Sequence, residues 1–214
     1  DNIGSITAVK GGSYDKKTGI ARYSAAVEKP SYTYATGSSA VALTVEFTLD
    51  MSKLPKSPFT DVTAGAWFYD AVLYASGREL MVGTADATFS PNTPMTRAML
   101  VAVLYRMSGS PSVAGMTAPF TDVPADQWYT DAVIWAYNCG VVSGTSATTF
   151  APEQNITREQ MMTMFYGYAK FMDYNTVAVA DLSVFPDGGS VSSWAQTEMG
   201  WAVANTLISG VQEG

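Results

Sequence analysis

Residues 59–106 read FTDVTAGAWFYDAVLYASGRELMVGTADATFSPNTPMTRAMLVAVLYR, and residues 120–167 read FTDVPADQWYTDAVIWAYNCGVVSGTSATTFAPEQNITREQMMTMFYG. The two stretches align without a gap at a constant offset of 61, and eighteen of the 48 positions are identical. The identities gather in clusters. Phe59-Thr60-Asp61-Val62 recurs as Phe120-Thr121-Asp122-Val123, and Trp67 with Asp70-Ala71-Val72 recurs as Trp128 with Asp131-Ala132-Val133. Gly83-Thr84 recurs as Gly144-Thr145; Phe89, Pro91 and Thr96-Arg97 recur as Phe150, Pro152 and Thr157-Arg158. A third copy starts at Phe185-Pro186-Asp187, reaches Trp194 after one inserted residue, keeps Trp201, Ala202 and Gly210, and stops where the Thr-Arg half would begin. Repeats of this length point to an array of small supersecondary units, none able to bury its apolar face alone.

Each repeat reads as helix, loop, helix. Trp67, Ala71, Tyr74 and Ala75, and likewise Trp128, Ala132, Trp135 and Ala136, fall at i, i+4, i+7 and i+8, which makes one apolar face of a first helix. Leu100, Val103, Leu104 and Met107 match Met161, Met164, Phe165 and Tyr168 at i, i+3, i+4 and i+7 of a second helix. Thr96 and Thr157 stand at the expected N-caps; Gln160 completes a capping box, whereas Met99 leaves the first box half made. Ahead of the repeats, residues 40–50 alternate, with Val41, Leu43, Val45, Phe47 and Leu49 on one side, as in a half-buried strand. Ile20–Val27 and Ile3–Val9 are weaker strand candidates around a turn-rich Gly11-Gly12-Ser13-Tyr14-Asp15. The expected organisation is a β segment over 1–50, the end of a larger β-domain or a small docked sheet, and a linker over 51–58. Three repeats follow, at 59–118, 119–180 and 181–214, the last one truncated.

Composition narrows the chemistry. The 214 residues are 47% apolar, enough for a sizeable core, and no run of 18 apolar residues is present to span a bilayer. A start at Asp1 without a signal peptide, and an end inside a repeat, read as a processed or trimmed piece of something longer. Cys139 is the one cysteine, so no internal disulfide forms, and it reads as a small, partly buried side chain rather than a nucleophile. Residues 59–214 carry five basic and fourteen acidic residues, a net of about −9, which argues against nucleic acid and any basic-patch mechanism. An anion has to be held at discrete points. Histidine is absent, and no cysteine pair, phosphate loop or calcium-loop spacing occurs, so no metal or cofactor is expected. Asp61 and Asp122 are repeat equivalents, better read as turn or cap residues than as the acid and base of a glycosidase; the chain reads as a non-enzyme.

Arg97 and Arg158 are the foremost site candidates. Each occupies the first position of a helix, where free N–H groups and the dipole favour an anion, and a guanidinium adds a bidentate grip on a carboxylate. The plainer reading, an exposed arginine paired with a nearby acid, leaves unexplained why a cation twice occupies an electrostatically unfavourable position. Trp67, Trp128 and Trp194 are open between core packing and stacking on a sugar ring, and Asp61, Asp122 and Asp187 between capping a turn and accepting sugar hydroxyls. Gly83, Gly144 and Gly210 are expected at positive φ after the first helix, where they also permit close approach of a ligand to the backbone.

The ordered pattern Phe-x-Asp-Val, Trp, Asp-Ala-Val, a glycine turn, Phe-x-Pro and Thr-Arg resembles the S-layer homology module over residues 59–214, as two whole repeats and about half a third. The resemblance implies a mainly α fold in which three helix-loop-helix repeats form a pseudo-threefold domain around a central three-helix bundle. It implies non-covalent attachment of a bacterial surface protein, with upstream domains, to secondary cell-wall polysaccharide, often with pyruvylated sugars. It assigns Arg97 and Arg158, with Thr96, Thr157, Asp61, Asp122, Trp67, Trp128, Gly83 and Gly144, to the ligand site, the arginines holding the pyruvyl group. The family's Thr-Arg-Ala-Glu stands here as Thr96-Arg97-Ala98-Met99 and Thr157-Arg158-Glu159-Gln160; binding is weaker if the missing glutamate orients the arginine and intact if it only caps the helix. The rival roles are protein contacts within a surface lattice and the non-catalytic part of a wall-acting hydrolase.

Overall fold

The structure is a computed structural model that describes residues 57–210 in full and, before them, the backbone of residues 6–15, 20–28 and 42–50. The chain divides into two compact units, Asp1–Lys56 and Ser57–Gly214. In the first, β1 (Ile6–Asp15), β2 (Ile20–Glu28) and β3 (Ala42–Asp50) pair antiparallel in the order β1-β2-β3, Ile20 lying opposite Asp15 on one side and Asp50 on the other. Gly11 and Gly12 fall inside β1, where the register shifts between Lys10 and Ser13, the irregularity that glycine permits in a strand. The facing of Val41 to Leu49 lies outside the described residues.

The second unit is helical. It contains α1 (Tyr69–Gly77), α2 (Arg97–Met107), α3 (Thr130–Asn138), α4 (Arg158–Phe171) and α5 (Gln196–Ala204). The first helix of each repeat begins two residues after its tryptophan, so Trp67, Trp128 and Trp194 are not on the packed face; they are 93%, 56% and 54% exposed. Each first helix ends in one device. Leu80, Val141 and Leu207 donate their N–H to the carbonyls of Ala75, Ala136 and Ala202, across residues of positive φ at Glu79, Gly140 and Thr206. This is the Schellman ending, and it takes the left-handed residue away from the glycines four positions later. Of Gly83, Gly144 and Gly210, only Gly83 has positive φ. What the three share is the repeat's opening phenylalanine, since a Cβ would meet Phe59 at Gly83, Phe120 at Gly144 and Phe185 at Gly210.

Among the described residues, the helices in extensive contact are α2 with α3, α4 with α5, and α2 with α4. The expected central bundle of the three first helices is not among these pairs. The first helices of the second and third repeats, α3 and α5, instead lie on the second helix of the repeat before them, α2 and α4. The equivalent residues Tyr74 and Trp135 show the consequence: Trp135, facing α2, is 1% exposed, whereas Tyr74, on α1, is 60% exposed. Only Val72 of α1 is buried. Because α2 meets both α3 and α4, it buries Ala98, Leu100, Val101, Ala102 and Leu104, a wider surface than the single face at 100, 103, 104 and 107, and Met107 is left exposed. The main core joins these residues to Phe120, Val133, Trp135, Phe150 and Met164, all from the second repeat.

Gly144 tests this packing. An added Cβ would collide with the carbonyls of Ser146 and Thr149 and lie 2.6 Å from the Phe120 ring. Gly144→Ala is expected to lower unfolding free energy by about 3 kcal/mol, against about 1 kcal/mol for Gly140→Ala, whose Cβ meets only open space at a φ of +68°. Equal costs in urea denaturation would refute the packing role.

Candidate functional site

Within a repeat, the opening Phe-Thr-Asp segment grips the Phe-x-Pro loop. Thr60 and Thr121 donate their N–H to Ala87 O and Thr148 O, each at 2.8 Å. The Asp61 carboxylate accepts from the N–H of Phe89 (2.9 Å) and Ser90 (2.7 Å), and that of Asp122 from Phe150 (2.8 Å) and Ala151 (2.7 Å). Both aspartates are therefore engaged by their own repeat, which favours the turn-clasp reading over acceptance of sugar hydroxyls. The Phe89 N–H, helped by that of Ser90, holds the Asp61 carboxyl below its ordinary 3.8 against a smaller opposing effect of desolvation. With its folded-state pKa depressed, Asp61 contributes stability fully above the unfolded value, and that contribution fades as pH falls through the folded value. The gap in thermal midpoint between the parent and Asp61→Asn is thus expected to narrow as pH drops from about 5 to about 2. A constant gap would exclude the clasp.

Between repeats, Thr-Arg does the joining. Thr96 caps α2, its hydroxyl accepting from Met99 N–H, and the Met99 sulfur in turn accepts from Thr96 N–H at 3.5 Å. The first capping box is thus complete, with a thioether, a weak acceptor, where Gln160 supplies its side-chain oxygen to Thr157 N–H at 3.3 Å. This is the cap role for the family's glutamate position. The next N–H groups of α2 are already taken: Arg97 N–H donates to Gln154 O (3.0 Å) and Ala98 N–H to Pro152 O (2.9 Å). The Arg97 side chain is 4% exposed. Its Nε donates to Phe150 O at 2.8 Å, its Nη2 reaches Ser143 O at 3.4 Å, and the guanidinium lies 4.7 Å from the centre of the Phe150 ring. Burial pushes its pKa down, and Asp122 partly offsets this. Arg97 is accordingly a buried staple between the first two repeats, not a free anion grip and not a surface ion pair.

Arg97→Ala leaves the buried Phe150 carbonyl without its donor, and is expected to cost about 2–4 kcal/mol in urea unfolding. Arg97→Lys should recover only part, because a compact ammonium cannot reproduce the fork. An Arg97→Ala midpoint equal to the parent's would remove the staple from the account.

Arg158 repeats the device in an open setting. It starts α4, is exposed, and donates from Nη2 to Ser209 O at 2.7 Å, the position in the third repeat that Ser143 holds in the second. Thr157 caps the helix and is exposed. Among the described residues, the N–H groups of Arg158 and Glu159 have no hydrogen-bond partner. Beside Arg158 opens a groove of about 570 Å³, lined in part by Phe185, Asp187, Met199, Ile208 and Gly210. Glu159 borders it but is engaged, accepting from Ser192 N–H (2.7 Å) and hydroxyl (2.9 Å).

The structure therefore brings Arg158 together with Asp187 and Gly210. Arg97, Thr96, Asp122 and Gly144 form the closed junction, and Asp61 and Gly83 serve the first repeat. Trp67 and Trp128 stand at the surface, edge-on to Phe68 (5.4 Å) and Tyr129 (5.1 Å), and neither lines the groove. Sequence reasoning missed Ser143, Ser209, Phe185 and Ile208. The first two act through backbone carbonyls, which leave no mark on residue type; Phe185 was visible as the third copy of the opening phenylalanine.

Residues 58–98 and 119–162 match the S-layer homology domain, so the chain carries two tandem repeats of that family. It is 30% identical over 163 residues to an endoglucanase of Bacillus sp. (strain KSM-635), covering 76% of this chain and 17% of that protein. It is 30% identical over 128 residues to a surface-layer 125 kDa protein of Lysinibacillus sphaericus, covering 60% of this chain and 10% of the other, and 28% identical over 149 residues to an amylopullulanase of Thermoanaerobacterium thermosulfurigenes, covering 69% and 8%. The chain thus spans less than a fifth of each of these relatives. S-layer homology domains are non-catalytic modules that anchor surface proteins to the cell wall, and the match places this chain outside the cell, at its surface.

Proposed function

We propose that these S-layer homology repeats hold a larger surface protein on the cell envelope by binding an acidic, pyruvylated secondary wall polysaccharide in the Arg158 groove. The observation that carries this reading is the exposed Arg158 guanidinium beside two N–H groups at the start of α4 that have no partner among the described residues, the arrangement that receives a carboxylate. Asp187 supplies an acceptor for sugar hydroxyls, and Phe185 and Ile208 an apolar floor for a pyranose ring. Arg97 is occupied between repeats and takes no part, so the site count falls from two arginine grooves to one. A domain upstream in the same polypeptide is the cargo that the anchor holds.

With a net charge of about −9 over residues 59–214, binding to a polyanion gains little from counterion release, and its salt dependence should be shallow. Arg158→Ala is expected to weaken binding to purified acidic wall polymer by roughly 10- to 100-fold, the scale of one charge-assisted bidentate contact, while the thermal midpoint stays near the parent's. Removal of the pyruvyl groups should have the same effect as the mutation. Equal sedimentation of parent and variant with wall sacculi would reject the site.

A further inference from the structure

We propose that Met99 is a methionine-oxidation site, at which peroxide converts the thioether to a sulfoxide that strengthens the cap of α2 instead of breaking it. The Met99 sulfur accepts the Thr96 N–H at 3.5 Å, while the Thr96 hydroxyl accepts from Met99 N–H at 3.3 Å. Among the described residues, no other methionine sulfur holds a hydrogen bond. A thioether is a weak acceptor, so the N–H of Thr96, a residue only 9% exposed, is held by the weaker of the two capping boxes. The second repeat has the stronger one at the same register, where Gln160 presents a side-chain carbonyl oxygen to Thr157 N–H at 3.3 Å. A sulfoxide oxygen is bonded to the δ atom of its side chain, as the glutamine carbonyl oxygen is, and it is a full hydrogen-bond acceptor. Oxidised Met99 therefore offers the first repeat the kind of acceptor that Gln160 offers the second.

A sulfur lone pair attacks one oxygen of hydrogen peroxide, and the S–O bond forms as the O–O bond breaks. The proton of the transferred hydroxyl goes to the departing hydroxide, which leaves as water; sulfur is oxidised by two electrons and the peroxide is reduced. Met99 is half-buried and within reach of peroxide, whereas Met162 and Met164 are each 4% exposed and shielded by the cores they fill. The new oxygen enters between the sulfur and the Thr96 N–H, and the unbranched side chain draws back toward its open side to make room. In a core the added polarity disrupts packing; at Met99 it arrives where a backbone donor already points. The next residue after Thr96 is Arg97, and the cap fixes the register from which its guanidinium reaches Phe150 O at 2.8 Å. Oxidation thus tightens the junction between the first two repeats, in a chain placed at the cell surface, where oxidants reach it without crossing a membrane. The inference does not rest on the wall-polymer reading, in which the Arg97 junction takes no part.

The test is amide hydrogen exchange of the 214-residue chain by NMR, before and after graded hydrogen peroxide. Conversion of Met99 is read by mass from the tryptic peptide 98–106, in which it is the only methionine. Exchange of the Thr96 amide is expected to slow by about three- to tenfold as Met99 is converted, the scale of one net hydrogen bond. Met99→Gln should slow it to the same degree without peroxide and make it insensitive to treatment; Met99→Leu should speed it and likewise remove the response. Reading one amide keeps the effect separate from oxidation of the exposed Met107 and Met116. Thr96 exchange that quickens or stays constant on full conversion of Met99 overturns the proposal. So does a folded chain in which Met99 resists peroxide that has already oxidised Met107, and so does a Met99→Gln chain whose Thr96 amide exchanges as fast as the parent's.

Discussion

The guanidinium of Arg97 is a full positive charge held away from water with backbone carbonyls as its partners. A buried charge is tolerated only when its hydrogen-bonding capacity is met in fixed geometry, and much of the surrounding sequence supplies that geometry. Asp122 clasps the Phe150 and Ala151 N–H groups, which fixes the Phe150 carbonyl that Arg97 requires. The fit of Gly144 under Phe120 positions the loop that presents Ser143 O. Thr96 and Met99 start α2 at the register from which the arginine can reach across. Four separated motifs in the repeat thus serve one contact.

It follows that the junction, rather than the repeat, is the unit of packing. The helix lying against a repeat's first helix comes from its predecessor, so the core sits between neighbours, as expected of stacked arrays in which stability resides in interfaces. α1 follows no second helix among the described residues and buries little, while α2 is enclosed on several sides. The near-identical sequences of the first two repeats therefore occupy different environments.

Arg97 and Arg158 differ for the same reason. Both begin a second helix after a capping threonine, and both reach the same carbonyl of the following repeat. Among the described residues, the following Phe-x-Pro segment closes over the helix start around Arg97. One arginine then holds the fold together, and its twin is left with unused donors at the edge of an apolar groove. Among the described residues, one motif thus stands in a closed junction at Arg97 and beside an open groove at Arg158.

The sequence by itself determined the repeats, the helix-loop-helix character of the first two, the caps at Thr96 and Thr157, the mainly helical class and the family. These are local matters: spacing, capping and periodicity act within a few residues and are written in residue type. The tertiary structure alone decided that Arg97 is buried, that Met99 completes a capping box through sulfur, that Trp67 and Trp128 lie outside the packed face, and that α3 rests on α2. The reason is that the deciding partners, the carbonyls of Ser143, Phe150, Pro152 and Gln154, lie about fifty residues away and belong to the backbone. Every residue carries such a group, so no residue identity could reveal it.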